Sequence, residues 1–251
     1  MNGFGDASIG WIVHRLVQQL GSEDYAWLVS GQCGAGTMQA KYDQLGARTV
    51  DFSQPVSPER MMWQRIRRYL IDHQISIIHS HTPRTIIHAS LAKALLPGTT
   101  HIATKHLLTT PQDRKWGLPI AVYDRFSLYL PDHLVAVSNH MCKQIQSTPA
   151  ISQRRVTAIP NAIPVEKFFQ PGLRDDCRRE FGYNSNTIAV GFAGRIEKVK
   201  TVDLLLLAYQ KVLEEHPHTR LLLIGEGSKQ FEWQSLASEL GISHSVIWTG
   251  F

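Results

Sequence analysis

Along the chain, short apolar runs alternate with longer stretches whose apolar residues recur every three to four positions. Ile9, Ile12, Val13, Leu16, Val17 and Leu20 keep helical spacing and stop at Gly21, which predicts a helix. Ala26 to Ser30 and Ala47 to Phe52 read as strands. Ser57-Pro58 reads as a helix start leading through Met62, Ile66, Tyr69 and Leu70. Strand Ile75–Ser80, helix Thr85–Leu95, strand His101–Thr104 and a helical stretch over Leu118–Tyr129 follow. Strand His133–Val137 runs into a helix that Ser138 is placed to cap, and Val156–Ile159 is a further strand. Met61, Met62 and Trp63 read as core. Strands that alternate with helices predict parallel pairing, with helices on both faces of a sheet.

From Pro160 to Asn186 the periodicity fails, and prolines with a charged Arg174–Glu180 run predict a crossing segment holding one short helix. The alternation then restarts with strand Ile188–Ala193, helix Val202–Glu215, strand Arg220–Ile224, helix Phe231–Leu240 and strand Val246–Trp248. The reading is α/β with two domains, residues 1–170 and 171–251. The second has only three strands, which is thin for an independent core. The first opens on a glycine loop, Gly3 to Ser8, with no strand ahead of it, where a doubly wound domain has one. Both ends therefore read as cut.

Composition narrows the classes. With 43% hydrophobic and 19% charged residues over 251 positions, the chain can bury a core, and disorder is excluded as its main state. No apolar run reaches the roughly 20 residues of a membrane span, and no signal segment is expected. Cys33, Cys142 and Cys177 are too scattered for a disulfide framework or a zinc knuckle. The net charge of +5 is unevenly placed: residues 1–170 hold 17 Lys and Arg against 11 Asp and Glu, residues 171–251 hold 9 against 10. That asymmetry fits an anionic partner or a solvated face in the first domain. A cytoplasmic protein is expected.

Candidate chemistry lies at predicted strand ends, where open α/β sheets bind ligands. Arg195 and Lys200 flank the opening of the helix after the first strand of the second domain. Free backbone N–H groups and two cations there suit a phosphate or diphosphate. The loop lacks the glycines and Lys-Ser/Thr pair of a Walker motif. Gly225-Glu226-Gly227, after the next strand, would let a ligand approach backbone closely, as would Gly3 and Gly5. His79 and His81 alternate on one strand end beside His106, and this trio reads as sugar- or phosphate-contacting groups, as strand caps, or as a metal site of a hydrolase. Residues 114–129 mix Arg114, Lys115 and Arg125 with Trp116, Tyr123, Phe126 and Tyr129, suited to an anionic membrane surface or to simple docking on the core. No nucleic-acid motif accompanies them, so no nucleic-acid partner is expected.

The order of these pieces resembles the retaining glycosyltransferases of family 4, which have the two-domain GT-B fold. The stretches that carry the resemblance are Gly3–Leu20, Ile77-Ile78-His79-Ser80-His81, Thr104-Lys105-His106, Ala136-Val137-Ser138, Ile159-Pro160-Asn161-Ala162-Ile163, Gly194-Arg195 with Lys200, and Leu223-Ile224-Gly225-Glu226-Gly227. The resemblance implies two Rossmann-like domains, the second incomplete, which take an acceptor and a nucleoside-diphosphate sugar respectively. It implies transfer of a hexose to a glycan or lipid-linked acceptor at the cytoplasmic membrane face, without a metal or other cofactor. Arg195, Lys200 and the loop glycine Gly5 would hold the departing diphosphate, His106 would meet the reacting sugar, and His79, His81 and Asn161 would lie on the acceptor side. Two positions depart from the pattern: Ala162 and Thr201 stand where glycine is usual. The paired glutamates that grip the donor in the family have no counterpart before Phe251. The chain is therefore expected to be a fragment with little turnover of its own, the alternatives being a metal-dependent hydrolase using His79, His81 and His106 or a non-catalytic remnant.

Overall fold

The computed structural model describes residues 8–21, 25–31, 38–52, 61–108 and 117–250. They fall into two compact units, Met1–Ile163 and Pro164–Phe251. The first unit runs α1 (Ser8–Leu20), β1 (Leu28–Gly31), α2 (Gln39–Gln44), β2 (Arg48–Asp51), α3 (Met62–Asp72), β3 (Ile77–Ser80), α4 (Pro83–Lys93), β4 (Thr100–Lys105), α5 (Gly117–Phe126), β5 (His133–Ala136), α6 (Asn139–Gln146) and β6 (Val156–Ala158). β1 pairs with β2, and β3-β4-β5-β6 form a second sheet in that order. Every described strand-to-strand pairing is parallel, and one isolated bridge, Gly225 with Gly250, is antiparallel.

Local chemistry sets the helix ends. α1 stops where Gly21 turns to φ +70, its N–H bonding the Val17 carbonyl at 3.0 Å. α4 starts earlier than the spacing predicts, because Thr82 caps it through Thr85 and Pro83 fits the first turn. The Ser138 hydroxyl accepts from the Met141 N–H at 3.1 Å and starts α6, as the sequence predicts. The Ser57-Pro58 start and the Gly3–Ala7 loop, with Gly5, lie outside the described residues. α2 escapes the periodicity reading because it is short and polar, anchored by buried Tyr42, whose hydroxyl donates to the Gly10 carbonyl at 2.7 Å. The expectation that residues 61–63 are core is corrected in part: Met61 is 44% exposed, while Met62 and Trp63 are half-buried. At the centre of the larger sheet, Leu134 and Ala136 on β5 pack with Ile86, Ala103 and Ile145, all fully buried. A strand apolar at successive positions is the mark of a sheet covered on both faces.

The second unit opens with two short helices where one was predicted, α7 (Val165–Phe168) and α8 (Leu173–Glu180). It continues β7 (Ile188–Ala193), α9 (Val202–Glu215), β8 (Thr219–Ile224), α10 (Gln230–Glu239) and β9 (Val246–Gly250), with strand order β7-β8-β9. Val202, Leu206 and Tyr209 of α9 meet Leu221 and Leu223 of β8 and Trp233 of α10 in one core. The register runs from Ile188↔Thr219 to Ala193↔Ile224, so β7 and β8 end side by side. Both following loops therefore leave from the same carboxyl edge.

Candidate functional site

In the second unit the loops after β7 and β8 are knitted together by backbone. The Ile196 N–H donates to the Glu226 carbonyl at 2.9 Å, the Lys229 N–H to the Ile196 carbonyl at 3.1 Å, and the Gly194 N–H to the Ile224 carbonyl at 2.9 Å. Such proximity explains the glycines. A Cβ on Gly225 would lie 2.2 Å from the Gly194 oxygen, and one on Gly227 would lie 2.1 Å from the Ile196 oxygen. Gly225 also takes φ +128, where side chains strain. The close approach that these glycines permit is that of the neighbouring loop. The Gly225 N–H is itself committed to the Gly250 carbonyl at 2.8 Å.

This seam presents four cations, Arg195, Lys198, Lys200 and Lys229, of which Lys229 pairs with Glu232. Arg195 and Lys200, the two that the sequence singles out, are exposed, and neither side chain has a hydrogen-bond or ion-pair partner among the described residues. Lys200 closes a 3-10 turn, Lys198–Lys200, that leads into α9 through Thr201. Thr201 holds φ +48 and ψ +41, the left-handed geometry that glycine adopts at least cost, so the turn persists although the residue is β-branched. Ala162 behaves otherwise: it keeps a negative φ, and Asn161 beside it is exposed beyond the end of β6. Glu197 joins the seam as a residue that sequence reasoning missed. Its carboxylate accepts from the Ser228 N–H at 3.1 Å and from the Ser228 hydroxyl at 2.8 Å. Those two hydrogen bonds outweigh an opposing desolvation and, with the lesser charges of Arg195 and Lys229, hold its carboxyl below the usual carboxylate range.

In the first unit the predicted histidines do come together. β3 and β4 pair in register, which sets the ends of the two strands side by side. His81 Nδ1 and His106 Nε2 share a hydrogen bond of 3.1 Å, and His79 Nε2 shares one of 2.7 Å with Thr104 Oγ1. The His79 and His81 rings stand 4.3 Å apart and the His81 and His106 rings 5.4 Å apart. Burial, then the neighbouring imidazoles, lowers His79 to about 4 and His81 to about 2. His79 remains exposed as a residue, and its ring is shielded by the Thr104 and His81 contacts. His106 is also lowered, by burial and then by the Lys105 charge. All three are neutral near pH 7. Two ring nitrogens are spent on each other, and among the described residues no three His, Cys, Asp or Glu converge on a point that could hold a metal ion. The hydrolase alternative lacks its ligand set there.

Behind His106 stands a group the pattern did not single out for chemistry. Lys105 is 1% exposed and pairs with Asp124 on α5, while its ammonium donates to the Ser127 hydroxyl at 3.0 Å. Burial pushes Lys105 down and Asp124 pushes it back up. A lysine among Ile102, Ala103 and Thr104 on a buried strand was the available signal; its partner, 19 positions on, was not readable. His101 is likewise fully buried and lowered to about 4, its ring held by Ser80 at 2.7 Å and Ser90 at 2.9 Å. Both are devices that fix β4, the strand that carries His106.

Comparison with known proteins places this arrangement. Residues 9–167 match the model of Glycosyltransferase Family 4, and residues 174–251 match that of Glycosyl transferases group 1. The GPI3 subunit of phosphatidylinositol N-acetylglucosaminyltransferase from Saccharomyces cerevisiae is 26% identical over 172 residues, 68% of this chain and 37% of the yeast protein. A D-inositol 3-phosphate glycosyltransferase of Corynebacterium jeikeium is 34% identical over 101 residues, 36% of this chain and 24% of its own length. The matches thus span well under half of these curated relatives. Among solved structures, Anabaena HepE in complex with UDP superposes with a TM-score of 0.78 at 16% identity, over 98% of this chain and 66% of HepE. WaaG, a glycosyltransferase involved in lipopolysaccharide biosynthesis, gives 0.65 at 11% identity, over 97% of this chain and 66% of WaaG. The parallel α/β units, the paired loop seam and both family matches agree: the chain belongs to glycosyltransferase family 4, with a group 1 glycosyl transferase domain over residues 174–251, and has the GT-B fold.

Proposed function

We propose that this chain is part of a retaining glycosyltransferase that moves a hexose from a nucleoside-diphosphate sugar to a glycan or lipid-linked acceptor. The observation that carries the reading is the pair of unpartnered cations, Arg195 and Lys200, on a backbone-pinned loop at the carboxyl edge of β7. HepE, which shares the fold, is described in complexes with UDP and with UDP-glucose, and this supports a nucleotide-sugar donor here. The two cations neutralise the departing diphosphate, the task a divalent metal does elsewhere, so no cofactor enters the reading. Gly225, Glu226 and Gly227 hold the nucleotide side of the seam. Neutral His106, its Nε2 engaged with His81, offers Nδ1 to a sugar hydroxyl, while His79, His81 and Asn161 face the acceptor side. The acceptor oxygen bonds to the anomeric carbon as the bond from that carbon to the phosphate oxygen breaks. The acceptor's proton passes to the leaving phosphate oxygen, and configuration is retained.

Titration calorimetry of the chain with UDP, GDP and ADP tests the donor site. One nucleotide should bind, and Arg195→Ala and Lys200→Ala should each weaken it by about tenfold or more, the scale of a charge-assisted hydrogen bond. Equal affinity in wild type and both variants would remove the diphosphate site.

The reading places the protein at the cytoplasmic face of a membrane, in peripheral contact through the basic first unit. No described helix is long and apolar enough to cross a membrane. α5 presents Tyr123 and Phe126, 50% and 60% exposed, beside Arg125. Sedimentation with anionic liposomes should therefore carry the chain down at low salt and release most of it at high salt. Equal sedimentation with neutral vesicles would count against the contact.

A further inference from the structure

Glu197 is an odd neighbour for an anion site. It sits two residues after Arg195, and its carboxylate lies close enough for that guanidinium's charge to act on it. A carboxylate tethered so near is a competitor for any phosphate, because a guanidinium fork fits carboxylate and phosphate alike and the tether keeps the effective concentration high. Yet Arg195 and Glu197 form no ion pair. Both carboxylate oxygens are taken by Ser228, one by its backbone N–H at 3.1 Å and one by its hydroxyl at 2.8 Å. Lys229, the other cation beside Glu197, is occupied by Glu232.

We propose that Ser228 sequesters the Glu197 carboxylate, so that Arg195 and Lys200 stay open to the diphosphate of a nucleotide ligand. The assignment rests on the donor reading above and makes Ser228 a positioning residue that acts through Glu197. A purely architectural strap is the competing account, and the geometry speaks against it. The seam is already closed by backbone alone, through Ile196 to Glu226 and Lys229 to Ile196. Ser228 is exposed and Glu197 half-buried, and neither belongs to the buried core of the unit. What the serine hydroxyl adds is control over where one negative charge points.

The experiment is UDP titration of the whole chain in wild type, Ser228→Ala, Glu197→Gln and the double variant, at low and high salt, with thermal unfolding alongside. Ser228→Ala should weaken UDP by about twofold to fivefold at low salt, the range of an exposed charge pair, and by less at high salt. Glu197→Gln should bind UDP as tightly as wild type or more so. The double variant should match Glu197→Gln, because a neutral amide no longer competes. A double variant as weak as Ser228→Ala, a weakened Glu197→Gln, or an unaffected Ser228→Ala would each overturn the proposal. If those patterns fail while Arg195→Ala still loses UDP, the donor site stands and only the sequestration falls. If wild type binds no UDP, the donor reading falls and takes this one with it.

Discussion

Gly227→Ala is expected to destabilise the second unit by on the order of 3 kcal/mol or more, and to abolish nucleotide binding at the same time. Its new Cβ would lie 2.1 Å from the oxygen, 2.4 Å from the carbon and 2.8 Å from the nitrogen of Ile196. All three are backbone atoms, so no side-chain rotation relieves the clash, and the loops must part. Parting them breaks the hydrogen bonds from Ile196 to Glu226 and from Lys229 to Ile196. It also moves Arg195, which sits one residue before the contact, and it withdraws Ile196 from the core of the unit, where it is fully buried. Stability and affinity are therefore coupled at this residue. The control is Gly191→Ala on β7, where nothing stands within 4 Å of the added carbon. That variant should unfold and bind UDP like wild type. Scanning calorimetry of both variants with UDP titration decides the matter, and a Gly227→Ala protein with unchanged unfolding would refute the close-packing account.

The same seam shows what the sequence could and could not disclose. β7 and α9 were legible to the residue, because continuous apolar character and helical spacing are local signals. The glycines and cations were legible as residue types at strand ends. Their use was not, since the collision that forbids a Cβ at Gly227 involves a backbone 31 positions earlier, and so does the hydrogen bond between Glu197 and Ser228. In the first unit, strand alternation put His79, His81 and His106 on neighbouring strand ends, and the register of β3 with β4 bears this out. What alternation cannot supply is the pairing of one imidazole with another, which turns three apparent ligands into a neutral stack. α2 and the first of the two connecting helices were missed for a simpler reason, being too short for a 3.6-residue period to repeat.

Asp124→Ala should cost about 3–5 kcal/mol in denaturant unfolding, the range for stripping one partner from a buried ion pair. Lys105 is 1% exposed and Asp124 5% exposed at their side chains, so water cannot replace the lost carboxylate. The Ser127 hydroxyl, at 3.0 Å, would remain as a neutral neighbour that also donates to the Asp124 carbonyl at 2.6 Å. An ammonium left in that setting must lose its proton or pull the strand toward solvent, and either outcome is costly. The strand in question is β4, and the next residue is His106. Damage should therefore reach the histidine stack, whose 3.1 Å link from His81 to His106 depends on where β4 ends. Removing both charges is the informative comparison. Lys105→Met with Asp124→Ala should recover part of the loss, because two apolar groups in a buried site need no partner, whereas two independent effects would simply add. An exposed pair would behave differently: Lys93 and Asp132, at 25% and 41% side-chain exposure, should lose no more than about 1 kcal/mol on Lys93→Met. If Asp124→Ala unfolds no more readily than Lys93→Met, the buried pair does not anchor β4, and the strand is held by its pairing with β3 and β5 and by the His101 hydrogen bonds.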